Sequence, residues 1–124
     1  MKNYYTEDTN FYKGINPKDL LEKYGSPLYV YNEAILRERC KEMAGFIKGL
    51  KFQSNYSIKA NSNLTLLKII NEEGLFVDAM SPEEIAVLLE AGFSPNKILY
   101  IGNNVSEEEM RYAIERDVDV SINI

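Results

Sequence analysis

Four short β-rich runs decide how this chain folds: Y-S-I-K-A (56–60), F-V-D-A-M (76–80), I-L-Y-I (98–101) and V-D-V-S-I-N-I (118–124). They start at residues 56, 76, 98 and 118, at intervals of 20, 22 and 20. The stretches between them predict helices over about 64–73, 82–91 and 107–116. Gly74 and Gly92 stand where the first two should stop. Two of the helices open with a serine followed three residues later by a glutamate, S-P-E-E (81–84) and S-E-E-E (106–109). In that pattern the serine caps a backbone N–H and the glutamate reaches back to the start of the helix. Strands and helices alternating at this spacing predict parallel βαβ units with right-handed crossovers.

Two architectures satisfy that pattern. One is a small open doubly wound sheet. The other is the front half of a (β/α)₈ TIM-type barrel, because a closed barrel takes roughly 250 residues and the chain has 124. The helix I-A-V-L-L-E-A (85–91) is apolar on nearly every side. That composition favours a barrel, where neighbouring helices bury the flanks.

Upstream, Asn16-Pro17 signals a helix start, an amide cap followed by proline at the first helical position. The short helix D-L-L-E-K-Y should end at Gly25, and P-L-Y-V-Y (27–31) reads as a strand. A long helix is expected from Glu33 to Leu50, with Leu36, Cys40, Met43, Ile47 and Leu50 forming one apolar stripe. Cys40 on that stripe reads as a small buried hydrophobe. The expected organisation is an N-terminal arm with a short helix and strand over 1–32, its first 16 residues an arm or edge strand. A partial α/β barrel follows over 33–124.

Composition narrows the chemistry. Fourteen Lys and Arg against nineteen Asp and Glu give a net charge of −5 without a basic block, so neither nucleic acid nor an anionic membrane is an expected partner. No apolar run approaches the ~18 residues of a membrane span. The polar, acidic start M-K-N-Y-Y-T-E-D-T-N is unlike a secretory leader. A single cysteine suits a reducing cytosol, and a cytoplasmic protein is expected. The chain has no histidine. Ser-His-Asp and Cys-His machinery and histidine metal sites are therefore outside its own means, and no metal is expected.

Two residues stand out from a structural pattern. Lys59 falls near the carboxyl end of the first repeated strand, where alternation puts it on one face with Ser57. A lysine there can simply snorkel to solvent. In parallel α/β folds, however, reactive groups collect at that end of the sheet. A partly desolvated amine there can act as a nucleophile toward a carbonyl. Asp78 sits mid-strand in F-V-D-A-M. It either accepts a loop N–H or holds the charge of Lys59.

Y-S-I-K-A-N-S-N (56–63) closely resembles the lysine motif of the diaminopimelate decarboxylases. These belong to the fold-type III, alanine-racemase-type family of pyridoxal-phosphate decarboxylases. The likeness extends through Y-G-S-P-L-Y-V-Y (24–31), F-V-D-A-M-S-P-E-E-I (76–85), A-G-F-S-P-N-K-I-L-Y-I-G-N-N (91–104) and V-D-V-S-I-N-I (118–124). It implies that Lys59 is the catalytic lysine that bonds pyridoxal 5′-phosphate, with Asp78 beside it as a second cofactor-binding residue. It implies an amino-acid substrate, meso-diaminopimelate giving L-lysine and CO₂, or in related enzymes ornithine, arginine or carboxynorspermidine. Family members are several times longer, so the chain matches their N-terminal part and is expected to be inactive alone. Two positions depart from the family pattern. Glu83 replaces a usual glycine, and Val105 replaces a lysine common after the third strand. The alternative of another class is a non-catalytic βαβ assembly module. A half barrel exposes strand edges, so a homo-oligomer is expected.

Overall fold

The strand segments carry one residue type inward and another outward, and that alternation builds the sheet seen in the computed structural model, which describes residues 11–47 and 51–122. The described chain forms two compact units, one up to Leu36 and one from Arg37 onward.

In the first unit, helix α1 (Pro17–Tyr24) starts and stops as its sequence dictates. The Asn16 side chain accepts the Lys18 N–H at 3.0 Å. Gly25, at φ 84°, donates its N–H to the Leu21 carbonyl at 2.8 Å. The expected strand at 27–31 is absent. The segment is irregular, no described strand pairs with it, and Tyr29 is 85% exposed. β-rich composition alone does not make a strand without a neighbour to take its hydrogen bonds. The arm or edge strand expected over the first 16 residues lies mostly outside the described ones, and residues 11–14 form a turn.

Helix α2 (Glu33–Ala44) is shorter than its apolar stripe suggests. Asn32 accepts the Ile35 N–H at its start. At its end Gly45 bonds back to Lys41 and the chain turns, while Leu50 lies outside the described residues. Among the described residues of the stripe only Cys40 is buried; Met43 and Ile47 are 49% and 40% exposed. Burial raises the Cys40 thiol above its ordinary value, with the Glu73 charge adding to that and Arg37 opposing it. In the second unit Arg37 ties α2 to the end of the next helix. Its guanidinium donates to Glu72 at 2.7 Å and to Glu73 at 2.8 Å. That pairing holds the Glu73 carboxyl below its usual range.

The second unit is built on strands β1 (Asn55–Ser57), β2 (Phe76–Ala79), β3 (Ile98–Gly102) and β4 (Asp119–Ile122). All neighbours are parallel and the order is β1-β2-β3-β4. The connecting helices are α3 (Leu64–Glu72), α4 (Pro82–Glu90) and α5 (Glu107–Ile114). α4 packs on β2 and β3 and α5 on β4, and the helices touch in sequence, α3 to α4 to α5. Sequential order without a switch point is the barrel pattern rather than the doubly wound one.

Register defines the two faces. Val77, Ala79, Ile98 and Tyr100 are buried on the helix-covered face. Ser57, Asp78, Leu99 and Asp119 form one row across the opposite face. Ile58, Leu67, Ile70, Ile85 and Leu88 complete the core under the helices. Burying each of these side chains stabilises the fold by about 1.5–3 kcal/mol.

The two Ser-x-x-Glu helix starts differ in detail. At α5 the capping box is complete: Ser106 Oγ accepts the Glu109 N–H at 3.2 Å and Glu109 accepts the Ser106 N–H at 2.7 Å. At α4 Ser81 caps Glu84 as expected, but the Glu84 carboxylate reaches one residue further and takes the Met80 N–H at 2.7 Å.

The α5 cap gives a testable consequence. Ser106 holds the Glu109 carboxyl below its usual value through its backbone N–H and then its hydroxyl. A depressed carboxyl stabilises the fold above its unfolded value and loses that contribution as pH falls through the folded one. Ser106→Ala should cost about 0.5–2 kcal/mol in urea denaturation at neutral pH. Most of that cost is the lost acceptor of the Glu109 N–H, which does not titrate, so the gap should narrow only in part as pH falls, and a gap that vanishes in acid would contradict this account of the cap.

Candidate active site

Strand β1 ends earlier than its composition suggests, and this moves the residue of most chemical interest. Ile58 is only 1% exposed and turns into the core. Residues Ile58–Ala60 form a single 3₁₀ turn, closed by the Asn61 N–H on the Ile58 carbonyl at 3.0 Å. The Tyr56 hydroxyl donates to the Asn61 carbonyl at 3.1 Å and braces the same turn. Lys59 therefore leaves the strand, and the expected alternation with Ser57 fails at this point. Its position at the carboxyl end of the sheet is as expected, but its side chain is exposed rather than partly desolvated.

The turn runs directly into α3. Asn61 accepts the Asn63 N–H at 2.9 Å, and Asn63 accepts the Thr65 and Leu66 N–H groups at 3.0 and 3.3 Å. The asparagines of K-A-N-S-N thus shape the loop that carries the amine. Neither was singled out from the sequence, although N-x-N before an apolar helical run is a capping signal.

Lys59 lines a cavity of about 350 Å³ with Ile58, Ser62, Glu83, Glu84 and Val87. That volume lies within the roughly 300–1,000 Å³ of small-molecule sites. Its far wall is the first two turns of α4. Asp78 is not part of this wall. It lies half-buried on the opposite face of the sheet, where Ser57 Oγ donates to its carboxylate at 2.7 Å. No ion pair within 4.0 Å joins Lys59 and Asp78 among the described residues. The two sequence-derived candidates are thus at the same end of neighbouring strands but do not form an ion pair. The partner of Asp78 is a strand hydroxyl rather than a loop N–H.

Of the two family departures, Glu83 lines the Lys59 cavity. Val105 packs over Gly102, where its methyl would lie 3.1 Å from any added Cβ. Among the described residues no group of three or more His, Cys, Asp or Glu could hold a metal, and no helix is long and apolar enough to cross a membrane.

Residues 33–123 match the family described as pyridoxal-dependent decarboxylase, pyridoxal binding domain. The chain is 40% identical over 111 residues to a diaminopimelate decarboxylase of Methanothermobacter thermautotrophicus, covering 88% of this chain and 26% of that protein. It is 42% identical over 107 residues to a diaminopimelate decarboxylase of Bacillus subtilis, covering 85% and 24%. The crystal structure of diaminopimelate decarboxylase from Helicobacter pylori complexed with L-lysine superposes with a TM-score of 0.82 at 26% identity, over 88% of this chain and 28% of that one. The chain belongs to the pyridoxal-dependent decarboxylases, within their pyridoxal-binding domain. It spans about a quarter of the length of the curated relatives it matches.

The cofactor of this family is pyridoxal phosphate. The residues around Lys59 fit its aldehyde end, since an accessible primary amine faces an open cavity. They do not form a cradle for its phosphate, because the polar lining is one amine, one hydroxyl and two carboxylates.

The cap on α3 should set the position of the Lys59 loop. Asn63→Ala removes the acceptor of two amides and should speed hydrogen exchange at Thr65 and Leu66 about fivefold, the equivalent of ~1 kcal/mol. Unchanged protection there would mean that the loop is held by other contacts.

Proposed function

We propose that the protein carrying this chain is a pyridoxal-phosphate-dependent carboxy-lyase that converts meso-diaminopimelate to L-lysine and CO₂, and that Lys59 bonds the cofactor. The observation that carries the reading is the exposed Lys59 amine, at the carboxyl end of the first parallel strand and facing a cavity of ligand size. The names of the relatives at 40% and 42% identity support the substrate. A cytoplasmic, self-associating enzyme accords with this reading.

When bound, the cofactor supplies an electron sink for the pair left behind by departing CO₂. The task of Lys59 is to hold the cofactor covalently through Nζ and to give it up to the substrate amine. Its four-carbon stem is flexible, so Nζ can swing over the sheet's carboxyl edge from the α4 side to the opposite face. Asp78 waits on that face, its carboxylate oriented by the Ser57 hydroxyl. There it would attract the lysine ammonium and steady the amine between cycles. The 124 residues alone lack a phosphate cradle among those described, so they should release no CO₂.

Incubation of the intact protein with pyridoxal phosphate, borohydride reduction and peptide mapping test the assignment. A stable label on Lys59, lost in Lys59→Ala together with CO₂ release from diaminopimelate, is the expected result. Label scattered over surface lysines would overturn the assignment of Lys59, and release of CO₂ from ornithine or arginine instead would overturn the substrate.

A further inference from the structure

Helix α2 contributes almost nothing to the core. Its one buried residue is Cys40, 4% exposed, so apolar burial does little to hold the helix in place. Polar contacts fasten it instead. The Arg37 guanidinium donates to Glu72 at 2.7 Å and to Glu73 at 2.8 Å, and the Lys41 ammonium lies 3.7 Å from Glu73. At the carboxyl end of α2 the Ser54 hydroxyl donates to the Met43 carbonyl at 2.7 Å.

The group that receives this fork is a helix end with the wrong charges. Helix α3 finishes at Glu72 with Glu73 as its cap, and its last turn has no basic residue. Two carboxylates therefore stand at the negative end of the helix dipole, where cations are the stabilising groups. The Glu73 side chain is also largely covered, at 11% exposure. A carboxylate so placed is costly without a partner. Arg37 supplies that partner from outside α3, and its bond to Glu73 is what chiefly holds the carboxyl below its usual range.

We propose that α2 is a strap that opens as a unit while the sheet stays folded, and that the Arg37 fork on Glu72 and Glu73 is its latch. Opening breaks the fork and uncovers Cys40. The strands keep a core of their own, with Val77 and Tyr100 fully buried on the helix-covered face, whereas departure of α2 withdraws one small buried side chain. Local opening of this kind belongs to elements with little buried apolar surface. Cys40 reports it cleanly. Arg37 opposes the burial and the Glu73 charge that push the Cys40 thiol up. Removing Arg37 therefore makes the covered thiol less reactive, and faster labelling can come only from more frequent opening. None of this depends on the function proposed for Lys59.

Alkylation by iodoacetamide, in which the thiolate displaces iodide, measures the opening in the intact protein when the peptide that carries Cys40 is followed by mass spectrometry. At low salt and fixed pH, Arg37→Gln should speed Cys40 labelling about five- to tenfold, between an exposed pair and a fully buried one. Arg37→Lys should keep part of the protection, because an ammonium cannot form the fork. In the unaltered protein about 1 M sodium chloride should speed the labelling, and in Arg37→Gln it should have little effect. Amide exchange at Val77 and Tyr100 should stay within about twofold throughout, since the sheet does not open with the strap. An unchanged Cys40 rate in Arg37→Gln would overturn the latch. Cys40 labelling and Val77 and Tyr100 exchange accelerating in parallel would overturn the separate opening of α2. If the variant fails to fold, the unaltered protein decides alone: labelling that does not rise with salt overturns the proposal.

Discussion

Ile58 is 1% exposed, and its burial governs where the chemistry can occur. A branched apolar side chain at that position belongs beneath the helices. Satisfying it bends the backbone into a 3₁₀ turn before the strand has run its length. The next residue, Lys59, is then carried out of the sheet and presented at its carboxyl edge. Tyr56 and Asn61 brace the bend, and Asn63 starts the next helix two residues later. A core contact therefore fixes the position of an exposed amine. The helix cap makes that position reproducible at a cost of one side chain.

The same sheet keeps its charges apart. One face is buried under α4 and its neighbours and is largely apolar; of its two described tyrosines, Tyr56 donates its hydroxyl to the Asn61 carbonyl and Tyr100 has no partner for its hydroxyl among the described residues. The other face carries Ser57, Asp78 and Asp119 in a row with Leu99. Glu83 and Glu84 line the Lys59 cavity on the helix side, and Asp78 lies on the bare face with the Ser57 hydroxyl. A flexible ammonium between two negative regions can move between them at little electrostatic cost.

Much of this was legible in the chain. The strand starts near 56, 76, 98 and 118 reported the βαβ repeat, and β2 and β3 are each bounded by a glycine helix stop before them and a serine cap after them. Ser106 and Glu109 behave as their spacing dictates. The failures have a common cause, which is that tertiary contacts decide what local pattern cannot. P-L-Y-V-Y has strand composition but no paired neighbour. The stripe from Leu36 to Leu50 is periodic, yet Gly45 ends the helix and Met43 stays in solvent. Alternation put Lys59 on the face of Ser57, and the burial of Ile58 overruled it. Lys59 and Asp78 were both visible as misfits. Glu83 was visible only as a departure from a motif, and its place beside the Lys59 cavity arises from the packing of α4 on β2.

The central claim is that the Lys59 amine is the attachment point for pyridoxal phosphate in this α/β sheet. An experimental structure of the intact protein grown with the cofactor tests it most directly. The account predicts continuous electron density from Lys59 Nζ to the cofactor, at the carboxyl end of β1. Density joining the cofactor to a different lysine, or a cofactor held without any covalent link to Lys59, would contradict it.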